Sequence, residues 1–229
     1  MLALLTTTDA DFSAQFQQLL SRHGEAESAV ESQVRAILTH VRRDGDRAVL
    51  DLTAQYDGLV LTPETICVSA SEIATAYEQC SPGALAALRS AAENIRRFHS
   101  HQQRPSWMLD LDDGSRLGLR ISPLRRVGMY VPGGKAVYPS TVLMCGIPAQ
   151  VAGVPELIVC TPAPGGIINP LIVVAADLVK AQAIYKVGGA QAIAMFAYGV
   201  GPCARVDLVT GPGSIWSVTA KRLPAGGAQ

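Results

Sequence analysis

The sequence has 229 residues, of which 48% are apolar and 17% are charged, so the chain can bury a hydrophobic core and is not expected to be disordered. Its 21 glycines and 14 prolines exclude a collagen-like or low-complexity chain, and its length allows one or two domains. The net charge of zero combines two unequal halves: residues 1–114 carry 9 basic and 16 acidic side chains, a charge of −7, whereas residues 115–229 carry 10 and 3, a charge of +7.

The basic second half has two interpretations that the composition leaves open. It suits an anionic small ligand, or its basic side chains are simply solvated on the surface. Ten basic residues over this length are too sparse to predict nucleic-acid binding.

The sequence favours a cytoplasmic location. No apolar run reaches the roughly 18 residues of a membrane span, and residues 1–8 lack the basic segment and cleavage site of a signal peptide. The cysteines form no C-x-x-C pair, which argues against a disulfide framework or a thiolate zinc site. We therefore expect reduced, half-buried thiols at Cys67, Cys80, Cys145, Cys160 and Cys203.

Residues 1–104 are predicted to be mostly helical. Apolar side chains recur at helical spacing over residues 12–20 and again over residues 30–41, and Gly24 and Gly45 are expected to end these two helices. A shorter helix is expected over residues 47–56.

A short strand is expected over residues 66–69, before a helix capped by Ser71. Ser81 followed by Pro82 is typical of a helix start, and it opens the longest predicted helix, which ends near Arg104. The inward face of that helix is expected to carry Leu85, Leu88, Ala92, Ile95 and Phe98.

The second half alternates short apolar runs with helical segments, after a turn-rich boundary over residues 104–114. Strands are predicted over residues 116–121, 127–131, 156–161, 183–187 and 206–210, and helices over residues 140–152, 169–181, 189–198 and 214–223. This alternation predicts an α/β fold, a mainly parallel sheet with helices on both faces and ligands at the carboxyl ends of its strands. The expected organisation is a helical region (1–104), an α/β domain (105–223) and an irregular tail (224–229).

Three strand-to-helix junctions are rich in glycine. They are Val131-Pro132-Gly133-Gly134, Val187-Gly188-Gly189-Ala190-Gln191 and Thr210-Gly211-Pro212-Gly213-Ser214. Glycine lets backbone N–H groups approach a ligand, and the following helix N-termini favour negative charge. None of the junctions is a G-x-G-x-x-G motif or a P-loop, and each alone is explained by a tight turn. Three junctions on one edge of a sheet favour a ligand of nucleotide size.

Side chains beside these junctions are candidates for contacts with that ligand. Tyr130 could stack on a base and form a hydrogen bond, or it could be an ordinary half-buried strand residue. Gln191 and Ser214 could bind the ligand or only cap their helices. The loop residues Lys135, Tyr138 and Ser140 could meet an anion or a hydroxyl group.

The sequence offers little support for other chemistry. His99 and His101 are two residues apart on a predicted helix and therefore point about 200° apart, which prevents regular chelation of one ion. All four histidines lie in the first half, and no H-E-x-x-H or G-x-S-x-G motif is present. Cys145 lies inside a predicted helix, so an aldehyde dehydrogenase-like enzyme with this thiol as nucleophile has little local support.

The junctions closely resemble histidinol dehydrogenase. The motifs that carry the resemblance are Arg126-Val127-Gly128-Met129-Tyr130-Val131-Pro132-Gly133-Gly134, Tyr138-Pro139-Ser140-Thr141-Val142-Leu143-Met144, VGGAQA over residues 187–192 and VDLVTGPGS over residues 206–214. The helical first half is also similar, including the Tyr56-Asp57-Gly58 turn, and the resemblance extends to about Leu223.

This resemblance implies a zinc enzyme of histidine biosynthesis, a homodimer with an aldehyde dehydrogenase-like fold that oxidises L-histidinol to L-histidine and reduces two NAD molecules in succession. It also implies that Tyr130, Gln191 and residue 214 contact NAD. Residue 214 is asparagine in the family and Ser214 here. The wider cofactor edge is expected to comprise Pro132, Gly133, Gly134, Gly188, Gly189, Gly211 and Gly213.

The family's zinc ligands and catalytic residues lie beyond the matched region, so no catalytic or metal-binding residue is assigned in this chain. We expect a truncated chain of the family that alone neither holds catalytic zinc nor oxidises histidinol. The alternative is a non-catalytic module that binds a nucleotide or a partner polypeptide. Membrane and nucleic-acid partners are not expected.

Overall fold

The computed structural model describes residues 4–21, 24–133 and 137–225. The helices are α1 (Phe12–Ser21), α2 (Gly24–Asp57), α3 (Ala70–Gln79), α4 (Pro82–Ser100), α5 (Pro139–Val151), α6 (Pro170–Leu178), α7 (Gly189–Tyr198) and α8 (Ile215–Ala225). The strands are β1 (Trp107–Asp110), β2 (Arg116–Leu119), β3 (Arg126–Tyr130), β4 (Glu156–Cys160), β5 (Ala183–Tyr185) and β6 (Leu208–Thr210). Over these residues, no helix has both the length and the apolar character needed to cross a membrane.

Helix α2 is interrupted where the sequence predicts a helix end. Gly45 has φ 62° and ψ −135°, a conformation that glycine adopts readily and that breaks the helical path. The segments on either side correspond to the two helices predicted over residues 30–41 and 47–56.

The caps of α3 and α4 correct one prediction and confirm another. The residue that caps α3 is Ser69, not Ser71, because Ser69 accepts a hydrogen bond from the backbone of Glu72 while the Glu72 side chain accepts one from the backbone of Ser69. This reciprocal capping box needs a glutamate three residues after the serine, which only Ser69 has. Ser81 caps α4 as predicted, and Pro82 follows at the first helical position.

Two further predictions are wrong in this region. Phe98 does not face inward: its side chain is 64% exposed and packs edge-on against His99, because the buried part of α4 ends one turn earlier at Ile95. The segment over residues 66–69 is not a strand but a single antiparallel bridge from Cys67 to Tyr185, flanked by backbone hydrogen bonds of Ile66 and Val68 to the end of β5.

The main sheet has the order β5-β4-β3-β6, and all of its strands are parallel. The predicted α/β fold, with a mostly helical region before it, is confirmed. Strands β1 and β2 form a separate antiparallel hairpin in which every residue is exposed. The predicted strand over residues 116–121 therefore lies outside the main sheet, and its partner β1 occupies part of the expected boundary.

Alternate residues of the strands enter two hydrophobic cores. On one face, Val127 and Met129 of β3 pack with helices α3 to α6, whereas on the other face Tyr130 packs with α2, α7 and α8. Strand β4 follows the same alternation, with Leu157 in the first core and Ile158 in the second. Because parallel strands are buried on both faces, their sequences are nearly continuous apolar runs. The helices of residues 1–104 contribute to both cores.

Glycines set the distance between layers at two buried positions. A Cβ atom on Gly128 of β3 would lie 2.8 Å from the ring of Phe196 in α7, and one on Gly146 of α5 would lie 2.7 Å from Cβ of Val179, which follows α6. Real Cβ atoms essentially never approach that closely. At these two contacts, the strand and the helices pack at distances that only glycine permits.

Gly146→Ala should therefore destabilise the fold. We expect the free energy of unfolding in urea to fall by about 1–3 kcal/mol from overpacking, although alanine is favoured over glycine in a helix by about 1 kcal/mol. Gly83→Ala is the matched control, because Gly83 is an exposed helical glycine with no atom within 4 Å of the added Cβ. Equal stability of Gly146→Ala and wild type would show that the α5–α6 contact relaxes freely.

Candidate functional site

The three glycine-rich junctions lie at one edge of the parallel sheet. They follow β3, β5 and β6, whose carboxyl ends point the same way because every pair in the sheet is parallel. The expectation that the junctions share an edge is thus confirmed for their described residues. Gly134 and Lys135 of the first junction lie outside the described residues.

Tyr130 connects the second and third junctions. Its hydroxyl oxygen accepts a hydrogen bond from the backbone N–H of Gly189, at 3.2 Å, and its ring is 3.5 Å from the Cβ position of Gly213. Its carbonyl oxygen lies directly against Gly211, which has φ 105° and no space for a side chain. Tyr130 is 6% exposed, so the structure places it beneath the edge as a packing and hydrogen-bonding centre.

The glycines of the second junction allow two close approaches. A Cβ on Gly188 would lie 2.7 Å from the Pro162 ring and 3.2 Å from Oδ2 of Asp57. Gly189 has φ 62°, and a Cβ there would lie 2.6 Å from Oε1 of Gln191. The turn between β5 and α7 can therefore touch both the end of α2 and the loop after β4.

A cavity of about 380 Å³ opens beside this turn. It is lined by Gln33, Ile37, Tyr56 and Asp57 of α2, by Gly189, Ala190 and Gln191 of α7, and by Ser214 and Trp216. The structure thus brings together Gly189, Gln191 and Ser214 from two of the junctions. Tyr130, Pro132 and Gly133 lie at the same edge but are not among its lining residues.

Four buried side-chain atoms have no hydrogen-bond partner within the described part of the chain, and each lies against a junction glycine. A Cβ added to Gly133 would lie 3.1 Å from Oγ1 of Thr161, and a Cβ added to Gly213 would lie 3.2 Å from Oγ of Ser217. A Cβ added to Gly189 would lie 3.3 Å from Nε2 of Gln191. The fourth atom, Oδ2 of Asp57, lies beside Gly188. A buried polar atom left unpaired costs about 1–3 kcal/mol, so this edge is built at the expense of stability and suited to an external partner.

Asp57 has the most perturbed environment of the cavity. Burial raises the pKa of its carboxyl group above the usual 3.8, and the nearby backbone N–H of Gly188 opposes this shift only in part. Of the described residues that line the cavity, Asp57 alone carries a charge at neutral pH. Its ionised form is therefore disfavoured in the free protein, and an added hydrogen-bond donor would stabilise it.

Asp57, Gln33 and Trp216 were not identified as site residues from the sequence. The relevant signal for Asp57 is the Tyr56-Asp57-Gly58 turn, since Gly58 has φ 64° and ends the helix immediately after the carboxylate. That signal shows where α2 ends, but the contact with Gly188 joins residues that are distant in sequence. Only the packing of α2 against α7 reveals it.

A second, larger groove of about 1010 Å³ lies along β6 and α5. It is lined by Cys145 and Thr210, whose Oγ1 hydroxyl donates a hydrogen bond to the Cys145 sulfur at 3.7 Å. Cys145 lies within α5, as the sequence predicts, and the nearby Lys221 amine donates to the carbonyl oxygen of Gly211. Burial lowers the pKa of Lys221. The thiol thus contacts the first residue of the third junction, but Cys145 is not among the residues that line the cavity beside α7.

The described residues do not fit a zinc ion. Among residues 4–21, 24–133 and 137–225, no group of three or more His, Cys, Asp or Glu side chains is placed to hold a metal. His99 instead lies 2.6 Å from Oε1 of Gln102. All five cysteines are free.

The basic side chains of the second half are largely engaged within the chain. Lys186 pairs with Glu72 at 2.6 Å and Arg222 pairs with Glu31 at 2.6 Å, so bases of the second half neutralise acids of the first. Arg126 pairs with Glu156, and its backbone N–H donates to Asp207. Two ion pairs between the acidic and basic halves therefore stabilise the contact between them.

Comparisons with known proteins agree on one family. A family model described as histidinol dehydrogenase matches residues 20–228. The histidinol dehydrogenase of Gluconobacter oxydans is 46% identical over 218 residues, which are 95% of this chain and 51% of that protein, and the one from Syntrophotalea carbinolica is 44% identical over 226 residues, 99% of this chain and 52% of that protein. The crystal structure of histidinol dehydrogenase from Elizabethkingia anophelis superposes with a TM-score of 0.82 at 34% identity, covering 86% of this chain and 45% of that one. The chain spans about half the length of these relatives.

The raised pKa of Asp57 predicts a pH-dependent stability effect. The pKa of Asp57 is higher in the folded protein than in the unfolded chain, where it is near 3.8. The protonated carboxyl group therefore favours folding at a pH below the unfolded pKa, and this stabilisation is lost as the pH rises through the folded pKa. Asp57→Asn removes that loss, so we expect it to be more stable than wild type at pH 7, with a difference that disappears towards pH 3. Thermal unfolding measured across this range tests it. Asp51→Asn on the same helix, where the side chain is 63% exposed, is the control and should show no gain.

Proposed function

The chain belongs to the histidinol dehydrogenase family, and from this we propose that it forms the dinucleotide-binding part of an enzyme that oxidises L-histidinol to L-histidine with NAD. Because the chain spans about half the length of its relatives, the reaction, the substrate and the partners are part of the proposal. The observation that carries it is the position of four unpartnered polar atoms, each beside a glycine of the same sheet edge.

The residues present fit a dinucleotide. When bound, NAD would accept a hydride from the substrate. The buried amide of Gln191 would donate from Nε2 to an oxygen of the cofactor, and the Ser214 hydroxyl would donate or accept at the mouth of the cavity. The N-terminus of α7 leaves backbone N–H groups without helical partners, and these can donate to oxygen atoms of the cofactor at this edge. Tyr130 would hold that N-terminus in place through its hydrogen bond to Gly189.

Dinucleotide binding is tested by calorimetric titration with NAD. Gln191→Ala and Tyr130→Phe each remove one hydrogen-bonding group, and we expect each to weaken binding by about 1 kcal/mol, or several-fold. Gln79→Ala is the matched control, because Gln79 is an exposed glutamine at the end of α3 and away from the edge. Equal affinity of all four proteins would remove Gln191 and Tyr130 from the site.

We also propose that the family's zinc is held by residues from the length of the relatives that this chain does not span. A catalytic zinc site requires about three protein ligands and an open position, and the described residues offer no such group. No catalytic step is assigned to zinc here, and the base that removes protons from the substrate is likewise not assigned to this chain.

The zinc proposal predicts that the 229-residue chain, purified alone, contains far less than one zinc per molecule and forms no NADH with histidinol and NAD. Mixing it with the carboxyl-terminal half of the Gluconobacter oxydans relative is expected to restore both. Atomic emission measures the zinc, and absorbance measures NADH. Stoichiometric zinc together with turnover by the chain alone would place the active site among the residues of this chain.

The exposed hairpin supports a further part of the proposal, a homodimer or another polypeptide partner. Its large apolar side chains are about half exposed, and so is Met144 beside the large groove; the hairpin residues are Trp107, Met108, Leu109, Leu117 and Leu119. Apolar patches of this kind mark interaction sites. This surface also favours the alternative of a non-catalytic module that binds a partner, which would show NAD binding and complex formation without turnover in the mixture.

A cytoplasmic location is proposed on the basis of the five free thiols.

A further inference from the structure

The cavity beside α7 presents two unpartnered atoms of opposite hydrogen-bonding character. Nε2 of Gln191 can only donate, and Oδ2 of ionised Asp57 can only accept. Both atoms are buried, and Gln191 as a whole is 1% exposed, so neither atom has free access to bulk solvent. A ligand that satisfies this cavity must therefore both donate and accept within a small space.

The two atoms flank the same dipeptide. Oδ2 of Asp57 is 3.2 Å from the Cβ position of Gly188, and Nε2 of Gln191 is 3.3 Å from the Cβ position of Gly189. Gly188 and Gly189 are consecutive residues, so the two polar atoms lie around one turn. Both side chains also line the same 380 Å³ cavity.

The chemistry of the pair disfavours ligand fragments that only donate or only accept hydrogen bonds. An ammonium group would satisfy the carboxylate but offers no acceptor to the amide. A phosphate would accept from the amide but is repelled by the carboxylate. A hydroxyl group does both, because it donates its proton and accepts on its oxygen, and two adjacent hydroxyls of a ribose supply one partner to each side chain.

We propose that Asp57 binds a ribose diol of the dinucleotide and makes the site selective for NAD over NADP. The inference rests on the dinucleotide site proposed above and adds to it the residue that determines cofactor choice. In NADP the 2′-hydroxyl carries a phosphate, which removes a donor and brings further negative charge to the only charged group among the described lining residues. An acidic side chain that binds the ribose 2′-hydroxyl discriminates against NADP in the same way in other dinucleotide folds.

Trp216 provides a direct readout of binding at this position, because it lines the cavity. The chain has two tryptophans, and the other, Trp107, lies on the exposed hairpin. Trp107→Phe therefore leaves Trp216 as the source of indole fluorescence. In that background, wild type, Asp57→Asn and the control Asp51→Asn are each titrated with NAD and with NADP, and calorimetry repeats the measurement with both tryptophans present.

Wild type and Asp51→Asn should bind NAD at least roughly tenfold more tightly than NADP. In Asp57→Asn the ratio of the two dissociation constants should fall towards one, through weaker NAD binding and stronger NADP binding, while the melting temperature at pH 7 is no lower than that of wild type. A ratio unchanged by Asp57→Asn overturns the inference and leaves the dinucleotide site standing. Binding of neither cofactor by Asp57→Asn overturns it as well, because removal of a repulsive charge cannot weaken NADP binding. If wild type binds neither cofactor, the proposed function fails together with this inference.

Discussion

The site depends on the absence of side chains at Gly188 and Gly189. At Gly188 a Cβ would collide with Pro162, and at Gly189 the backbone adopts a positive φ that other residues rarely accept. Because this dipeptide has no side chains, the start of α7 can lie against the end of α2 on one side. On the other side, the backbone N–H of Gly189 donates a hydrogen bond to the Tyr130 hydroxyl oxygen. One turn thus joins the helical region, the central strand β3 and the helix that carries Gln191. Larger residues at either position would separate these elements and open the cavity.

The helices of the first half are part of the site rather than an addition to it. Helix α2 provides the charged wall of the cavity, and ion pairs hold the acidic first half to the basic second half at Lys186 with Glu72 and at Arg222 with Glu31. The Lys186 amine is buried, so its pair with Glu72 is less screened by solvent than a surface pair, and it lies two residues before Gly188. Attraction between the halves therefore acts next to the turn on which the site depends. The packing of α2 against α7 also buries part of the Asp57 carboxyl group, which raises its pKa and disfavours its ionised form.

Local sequence signals predicted most of the fold, whereas long-range contacts decided what they missed. The alternation of apolar runs and helices, the Ser81 cap and the three glycine junctions are properties of neighbouring residues, and all are present in the structure. The capping box of Ser69 is also a local signal, because Glu72 lies three residues after this serine. The sequence prediction of Ser71 as the cap did not take this glutamate into account. Periodicity shows that Phe98 shares a face with Ile95 but not where the neighbouring helix ends, so its burial could not be derived. The Tyr56-Asp57-Gly58 turn shows locally where α2 ends, but the position of Asp57 at the cavity follows only from a contact with a glycine more than a hundred residues away.

The alternation of β3 between two cores makes the length of this strand more critical than its composition. Met129 enters one core and Tyr130 the other, and the pattern has a period of two residues. A substitution that keeps size and polarity disturbs one contact. Deletion of one residue instead turns every following side chain to the opposite face, which would move the Tyr130 hydroxyl away from Gly189 and drive a phenol into the aliphatic layer beneath α5 and α6. Between Arg126 and Pro132, evolution can therefore exchange residues but cannot change their number without losing the turn that forms the cavity.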